Sequence, residues 1–66
     1  MNVIVNGVPR DTSADNTLAD LVAALGLEGR RLAIEVNEEV IPRSEYSRYT
    51  LDLDDRVEIV QAIGGG

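Results

Sequence analysis

The sequence predicts an α+β fold in which a mixed sheet packs on one main helix. Three observations carry that prediction. Stretches at both ends and in the middle of the chain alternate apolar and polar residues with a period of two. Only one segment repeats its aliphatic residues at helical spacing. That segment is two turns long and cannot cover both faces of a sheet, so it must lie across one of them.

The elements follow in order. In residues 1–6, Met1, Val3 and Val5 share one face and Asn2, Ile4 and Asn6 the other, which makes a strand rich in β-branched residues. Asn6-Gly7 is a turn dipeptide, because both residues tolerate positive φ. Val8 to Thr12 returns as the second arm of a hairpin, and Pro9 confines that arm to a sheet edge. Leu18, Leu21, Val22 and Leu25 then sit at i, i+3, i+4 and i+7, which predicts a helix from Leu18 to Leu25. Thr17 suits its N-cap, Asp20 completes a shortened capping box, and Gly26 suits a left-handed C-terminal cap.

Leu32, Ile34 and Val36 alternate with Ala33, Glu35 and Asn37 in a further strand. Asn37-Glu38-Glu39 turns the chain, and Val40-Ile41 begins a short return that Pro42 ends. Residues 43–50 lack strong periodicity and read as a loop or a short helical turn. Leu51, Leu53 and Asp54-Asp55 lead through a tight turn into a last strand, Val57 to Ile63. The order is hairpin, helix, short strands and final strand, in shorthand β-β-α-β-β, followed by Gly64, Gly65 and Gly66. This is the ubiquitin-like or β-grasp architecture. Residues 1–63 read as the β-grasp domain and residues 64–66 as a flexible tail.

Composition narrows the chemistry. Sixty-six residues suffice for one small domain, whose core leaves a surplus stability of about 3–5 kcal/mol. The chain has no Cys and no His, so it offers no disulfide, no thiolate ligand, no catalytic thiol and no imidazole base. That excludes most self-contained enzymes. Aromatic residues are 3% of the chain (Tyr46 and Tyr49), which argues against stacking platforms for single-stranded nucleic acid. Twelve acids against six bases, all of them Arg, give a net charge of −6. Such a chain repels phosphate backbones and anionic membranes, and suits a soluble protein or one that docks on a basic partner. Residues 1–6 carry no basic leader and too short an apolar run for a membrane span, so the expected location is cytoplasmic.

The charged side chains offer little chemistry of their own. The carboxylates lack a His, Cys or Lys partner and read as solvated surface. Asp52, Asp54 and Asp55 lack the glycine and the distant Glu of a calcium loop, so the reading is an acidic turn and no metal site. Arg30-Arg31 reads as flanking the start of a strand, and Arg43 as pairing with Glu45 or another carboxylate.

The three terminal glycines are different. Glycine costs the most backbone entropy on ordering and packs nothing, so no folding argument places three of them after a strand. They could be a frayed or engineered end. They could also form a side-chain-free rod, with Gly64 and Gly65 threading a narrow tunnel in another protein and Gly66 presenting its α-carboxylate. A carboxylate is a poor electrophile until adenylation supplies AMP as a leaving group, after which a sulfur nucleophile can take the acyl group. With no cysteine on the chain, carried sulfur could reside only on the carbonyl of Gly66.

The residues also resemble a known family across essentially the whole chain. Ile4-Val5-Asn6-Gly7, Thr17-Leu18 with Leu21, Ala33-Ile34, Val36-Asn37, Val40-Ile41-Pro42-Arg43, Asp55-Arg56-Val57-Glu58-Ile59-Val60 and the final Gly65-Gly66 are similar to the ThiS sulfur carriers of thiazole synthesis in the thiamine pathway. The chain departs from them in having Asp54-Asp55 where Gly-Asp is frequent, and Gly64 ahead of the usual pair. The resemblance implies a protein cosubstrate that is not itself an enzyme and binds no cofactor. An ATP-using adenylating enzyme of the ubiquitin-activating type (ThiF) would make the Gly66 acyl-adenylate. Sulfur from a cysteine desulfurase route would give the Gly66 thiocarboxylate, and thiazole synthase (ThiG) would consume it. Two alternatives stay open: a carrier like the small subunit of molybdopterin synthase, and a β-grasp interaction module whose tail transfers nothing.

Strand parity gives a last expectation. The helix is expected to cover Val3, Val5, Leu32, Ile34, Val36, Val57 and Ile59, which leaves Ile4, Val60 and Ala62 on the open face as a partner-docking cluster.

Overall fold

The computed structural model describes residues 1–12 and 16–61 of the chain. Their elements are β1 (Asn2–Val5), β2 (Val8–Asp11), α1 (Leu18–Ala24), β3 (Leu32–Val36), β4 (Glu39–Ile41), a 3₁₀ turn (Arg43–Glu45) and β5 (Arg56–Gln61). The strands form one sheet in the order β2-β1-β5-β3-β4. All pairs are antiparallel except β1 with β5, which is parallel, so the last strand is threaded between the first and the third. This is the mixed β-grasp sheet expected from the sequence. The shorthand β-β-α-β-β undercounts it: the return after Asn37-Glu38 pairs over Val36↔Glu39, Glu35↔Val40 and Ile34↔Ile41 and is a strand in its own right. The boundary between body and tail at residues 63 and 64 lies outside the described residues.

Both hairpins close through two-residue loops. Asn6-Gly7 (φ 48° and 82°) joins Val5 to Val8, and Asn37-Glu38 (φ 51° and 70°) joins Val36 to Glu39. Positive φ at both central residues matches the right-handed twist of the flanking strands, and Asn at the first position tolerates it. Glu38 gains nothing comparable from its side chain and occupies that region at a cost. The outer strands end the sheet with little scope for extension: Pro9 sits within β2, and β4 is three residues long and stops before Pro42.

The helix is held at each end. The Thr17 hydroxyl accepts from the Asp20 amide (3.2 Å) while the Asp20 carboxylate accepts from the Thr17 amide (3.0 Å), the expected capping box. The amides of Leu18 and Ala19 donate to the carbonyls of Tyr49 and Tyr46, so the loop after the 3₁₀ turn satisfies the orphan donors of the first turn. At the other end Leu27 donates to Val22 and Gly26 to Ala23, with Gly26 at φ 73°, which makes a Schellman cap. Leu25 is therefore the cap, one residue beyond the helix proper.

One aliphatic core results. Val3, Val5, Leu18, Leu21, Val22, Ile34, Val36, Ile41, Leu51, Val57 and Ile59 are buried, with Met1, Leu25, Leu32, Tyr46 and Tyr49 packed against them. The expected inner face is thus observed, with Leu32 half-buried at its margin. Leu51 belongs to the core, whereas Leu53 projects into solvent at the turn before β5.

Candidate functional site

The sequence points to the end of β5 and whatever follows it. Of the predicted site residues, Ala62, Gly64, Gly65 and Gly66 lie outside the described residues. What the structure does describe is the base from which they continue: the strand Arg56–Gln61 and the groups that hold it.

Two asparagines grip that strand from opposite sides. Both stand at the first position of a hairpin loop, where the chain turns away and leaves backbone groups of β5 without a neighbour. The Asn6 side chain receives the Ile59 amide on Oδ1 (2.8 Å) and donates from Nδ2 to the Ile59 carbonyl (3.2 Å). Its backbone amide donates to the Val57 carbonyl (2.9 Å). A carboxamide carries the same donor and acceptor as a peptide group, so this side chain adds one rung to the ladder after β1 has ended. Asn37 performs the matching task at the start of β5: its Oδ1 accepts from the Arg56 amide (3.0 Å) and its Nδ2 donates to Asp55 Oδ1 (2.9 Å).

Asp55 is therefore structural. It is 8% exposed, and its second oxygen accepts from the Asp52 amide (2.8 Å). The acidic turn uses this carboxylate to fix itself, and the positive φ of Asp54 (65°) follows from the same tight reversal. Among the described residues, no group of carboxylates is placed to hold a metal ion.

The open face carries the two described members of the expected docking cluster, but the register does not make them neighbours. Val60 is 62% exposed and Ile4 is half-buried. Ile4 stands opposite Arg56, and Val60 opposite Ala33. Four residues of β5 separate those levels, about 13 Å. Between them lie Glu58 and Glu35, directly opposite one another. The face is thus an exposed aliphatic position near the strand end, an acidic pair, and then Arg56 beside Ile4. Like charges opposite each other weaken a sheet, and a basic partner would relieve that repulsion.

On the helix side, where the sheet extends past α1, a groove runs between Val5, Val8, Leu25, Leu27 and Ile59, with Asn6 at its wall. Sequence reasoning missed both this groove and the Asn6 grip. Asn6-Gly7 signals a turn, but nothing local shows that the side chain reaches a residue 53 positions away. Of the carboxylates expected to pair with Arg43, Glu45 instead pairs with Arg48 at 3.0 Å, one helical turn onward.

Two further groups feel their surroundings. Burial raises the Tyr49 phenol above its ordinary value, and the Asp55, Glu39 and Asp52 carboxylates add to the shift. Burial raises Tyr46 too, opposed in part by Arg43. Among the described residues, no helix is long and apolar enough to cross a membrane.

Known proteins resemble this chain in sequence and fold. The sequence model of the ThiS family matches residues 3–66. A thiazole synthase of Paramagnetospirillum magneticum is 39% identical over the whole chain, and the chain spans 20% of that protein's length. The sulfur carrier protein ThiS of Bacillus subtilis is 38% identical over 50 residues, 76% of each chain. Among solved structures, the thiamine biosynthesis protein ThiS of Geobacter metallireducens superposes over the full length of both chains, with a TM-score of 0.84 and 30% identity.

Proposed function

Because the chain belongs to the ThiS family, we propose that it is a sulfur carrier of thiamine biosynthesis whose working group is the Gly66 carboxylate. The observation that supports this most is the reach of the family match, which runs from β1 through Gly66 and so includes the glycine tail. The protein acts as a cosubstrate. A partner adenylating enzyme of the ThiF type joins a Gly66 carboxylate oxygen to the α-phosphorus of ATP and releases pyrophosphate. A hydrosulfide equivalent, supplied through a cysteine desulfurase, then attacks the acyl carbon and displaces AMP, leaving the thiocarboxylate. The cofactor content of the carrier itself is that covalent group alone.

Thiazole synthase, ThiG, is the proposed acceptor of the sulfur. The thiazole synthases similar to this chain over its whole length contain a segment like it within a single, roughly five times longer polypeptide, which supports pairing of carrier and synthase. The body of the domain supplies docking and the tail supplies reach. Glycines at 64 and 65 let the chain pass a narrow channel, because no Cβ meets its walls. The open face, with Val60 exposed beside the strand end and Ile4 on the same side of the sheet, is the proposed docking surface, to which strand alternation in the sequence adds Ala62. Its acids speed the encounter with a basic partner.

Pyrophosphate exchange by the activating enzyme tests the reading. Wild type supports exchange, and a chain lacking Gly66 keeps its fold and loses exchange. Exchange that survives removal of Gly66 refutes the assignment of the working group.

A further inference from the structure

Asn6 stands where β1 leaves the sheet and β5 continues toward the tail paired with β3 alone. Its carboxamide takes both backbone groups of Ile59, the amide at 2.8 Å and the carbonyl at 3.2 Å. On its other side β5 pairs with β3, through Ala33↔Val60 and Leu32↔Gln61. Ile59 is the last residue of β5 that receives support from the β1 side, and it receives it from this side chain. The next residue on that side is Gln61, where the described part of the strand ends.

We propose that Asn6 is a positioning residue for the tail: it fixes the point and direction at which the chain leaves the sheet, so that Gly66 reaches the activating site while the body is docked. This inference rests on the carrier function proposed above. The physical basis is the entropy of the connecting segment. The glycines must be free to thread, but each further residue released from the sheet has to be ordered again when the tail enters its channel. A frayed strand end also lowers the fraction of molecules whose tail points from the docked body toward the active site, and apparent affinity falls by that fraction. A side-chain rung at Ile59 holds the strand from the β1 side up to the last residues that pair with β3.

Asn37 provides a control. Its side chain also makes two hydrogen bonds, but to the Arg56 amide and the Asp55 carboxylate, at the end of β5 remote from the tail. Both asparagines have positive φ, 48° and 51°, so glycine replaces either without backbone strain. Asn6→Gly and Asn37→Gly are therefore compared with wild type in pyrophosphate exchange as a function of carrier concentration, at a temperature where circular dichroism shows all three folded. Loss of the Asn6 grip raises KM about five- to tenfold with kcat unchanged. It also speeds hydrogen exchange at the Ile59 amide. Asn37→Gly lowers the melting temperature at least as much but leaves KM within about twofold of wild type. Asn6→Asp, which keeps the acceptor for the Ile59 amide but sets a carboxylate oxygen against its carbonyl, also raises KM and serves if the glycine variant does not fold. An unchanged KM for Asn6→Gly, or equal KM changes in both glycine variants that simply follow their melting temperatures, overturns the inference while leaving the carrier function standing. A wild-type protein that supports no exchange overturns the carrier function, and this inference with it.

Discussion

Asp55→Asn is the substitution whose cost can be worked out most fully. The two oxygens of Asp55 accept from two donors, Asn37 Nδ2 at 2.9 Å and the Asp52 amide at 2.8 Å, and the residue is 8% exposed. A carboxylate suits this site because it offers only acceptors. An asparagine of nearly identical shape offers one oxygen and one NH₂, so whichever way it turns, a donor faces a donor. One charge-assisted bond is lost and one buried donor is left unmatched, at a cost of about 2–3 kcal/mol. A domain of this size has a surplus of about 3–5 kcal/mol. At about 4–8 °C per kcal/mol the melting temperature falls by roughly 10–20 °C. Thermal denaturation followed by circular dichroism measures this directly, with Asp54→Asn as control. Asp54 is exposed and has φ 65°, a conformation asparagine accepts, so the control stays within about 2 °C of wild type. An Asp55→Asn protein that melts within about 2 °C of wild type would refute the structural role given to this carboxylate.

Three further outcomes follow from the same structure. Val60→Asp weakens binding to the activating enzyme by about 1–3 kcal/mol and leaves the melting temperature near wild type, since Val60 is already exposed; calorimetric titration and a melting curve decide it, and normal binding removes this face as the docking surface. Gly65→Val blocks pyrophosphate exchange by adding a Cβ and two methyls to the threading segment, and near-normal exchange contradicts the channel argument. Stability falls as pH rises past about 10. The raised phenols of Tyr46 and Tyr49 leave full stability below the unfolded value, and above it the unfolded chain ionises first. The sequence has no Lys or Cys to titrate in that range, so melting curves between about pH 9 and pH 11 isolate the effect; a Tyr46→Phe, Tyr49→Phe double variant that declines as steeply as wild type contradicts it.

Much of the fold is legible in the sequence because it depends on short-range periodicity. Alternation at Val3 and Val5, at Ile34 and Val36, and at Val57 and Ile59 assigns the inner face of the three central strands without knowledge of their order. Thr17, Asp20 and Gly26 mark the helix ends because caps are local chemistry. What escapes a reading along the chain is whatever depends on register between distant segments. Ile4 and Val60 share a face, but only the pairings Ile4↔Arg56 and Ala33↔Val60 show that an acidic pair separates them. Asn6 and Asn37 look like turn formers, which they are; their second role needs β5 to lie between β1 and β3. Glu45 has arginines on both sides, and the backbone after the 3₁₀ turn selects Arg48. Gly66 is singled out by chemistry alone, from the absence of cysteine and the family resemblance, and it lies outside the described residues.

The central claim is that this small acidic domain carries sulfur on its last carbonyl carbon. Intact-mass spectrometry after incubation with the activating enzyme, ATP and a sulfur source tests it most directly. The account predicts the mass gained when one oxygen is replaced by sulfur, dependent on ATP and located by fragmentation at Gly66. An unchanged mass under conditions where a known ThiS protein is converted, or a sulfur found anywhere else on the chain, would contradict it.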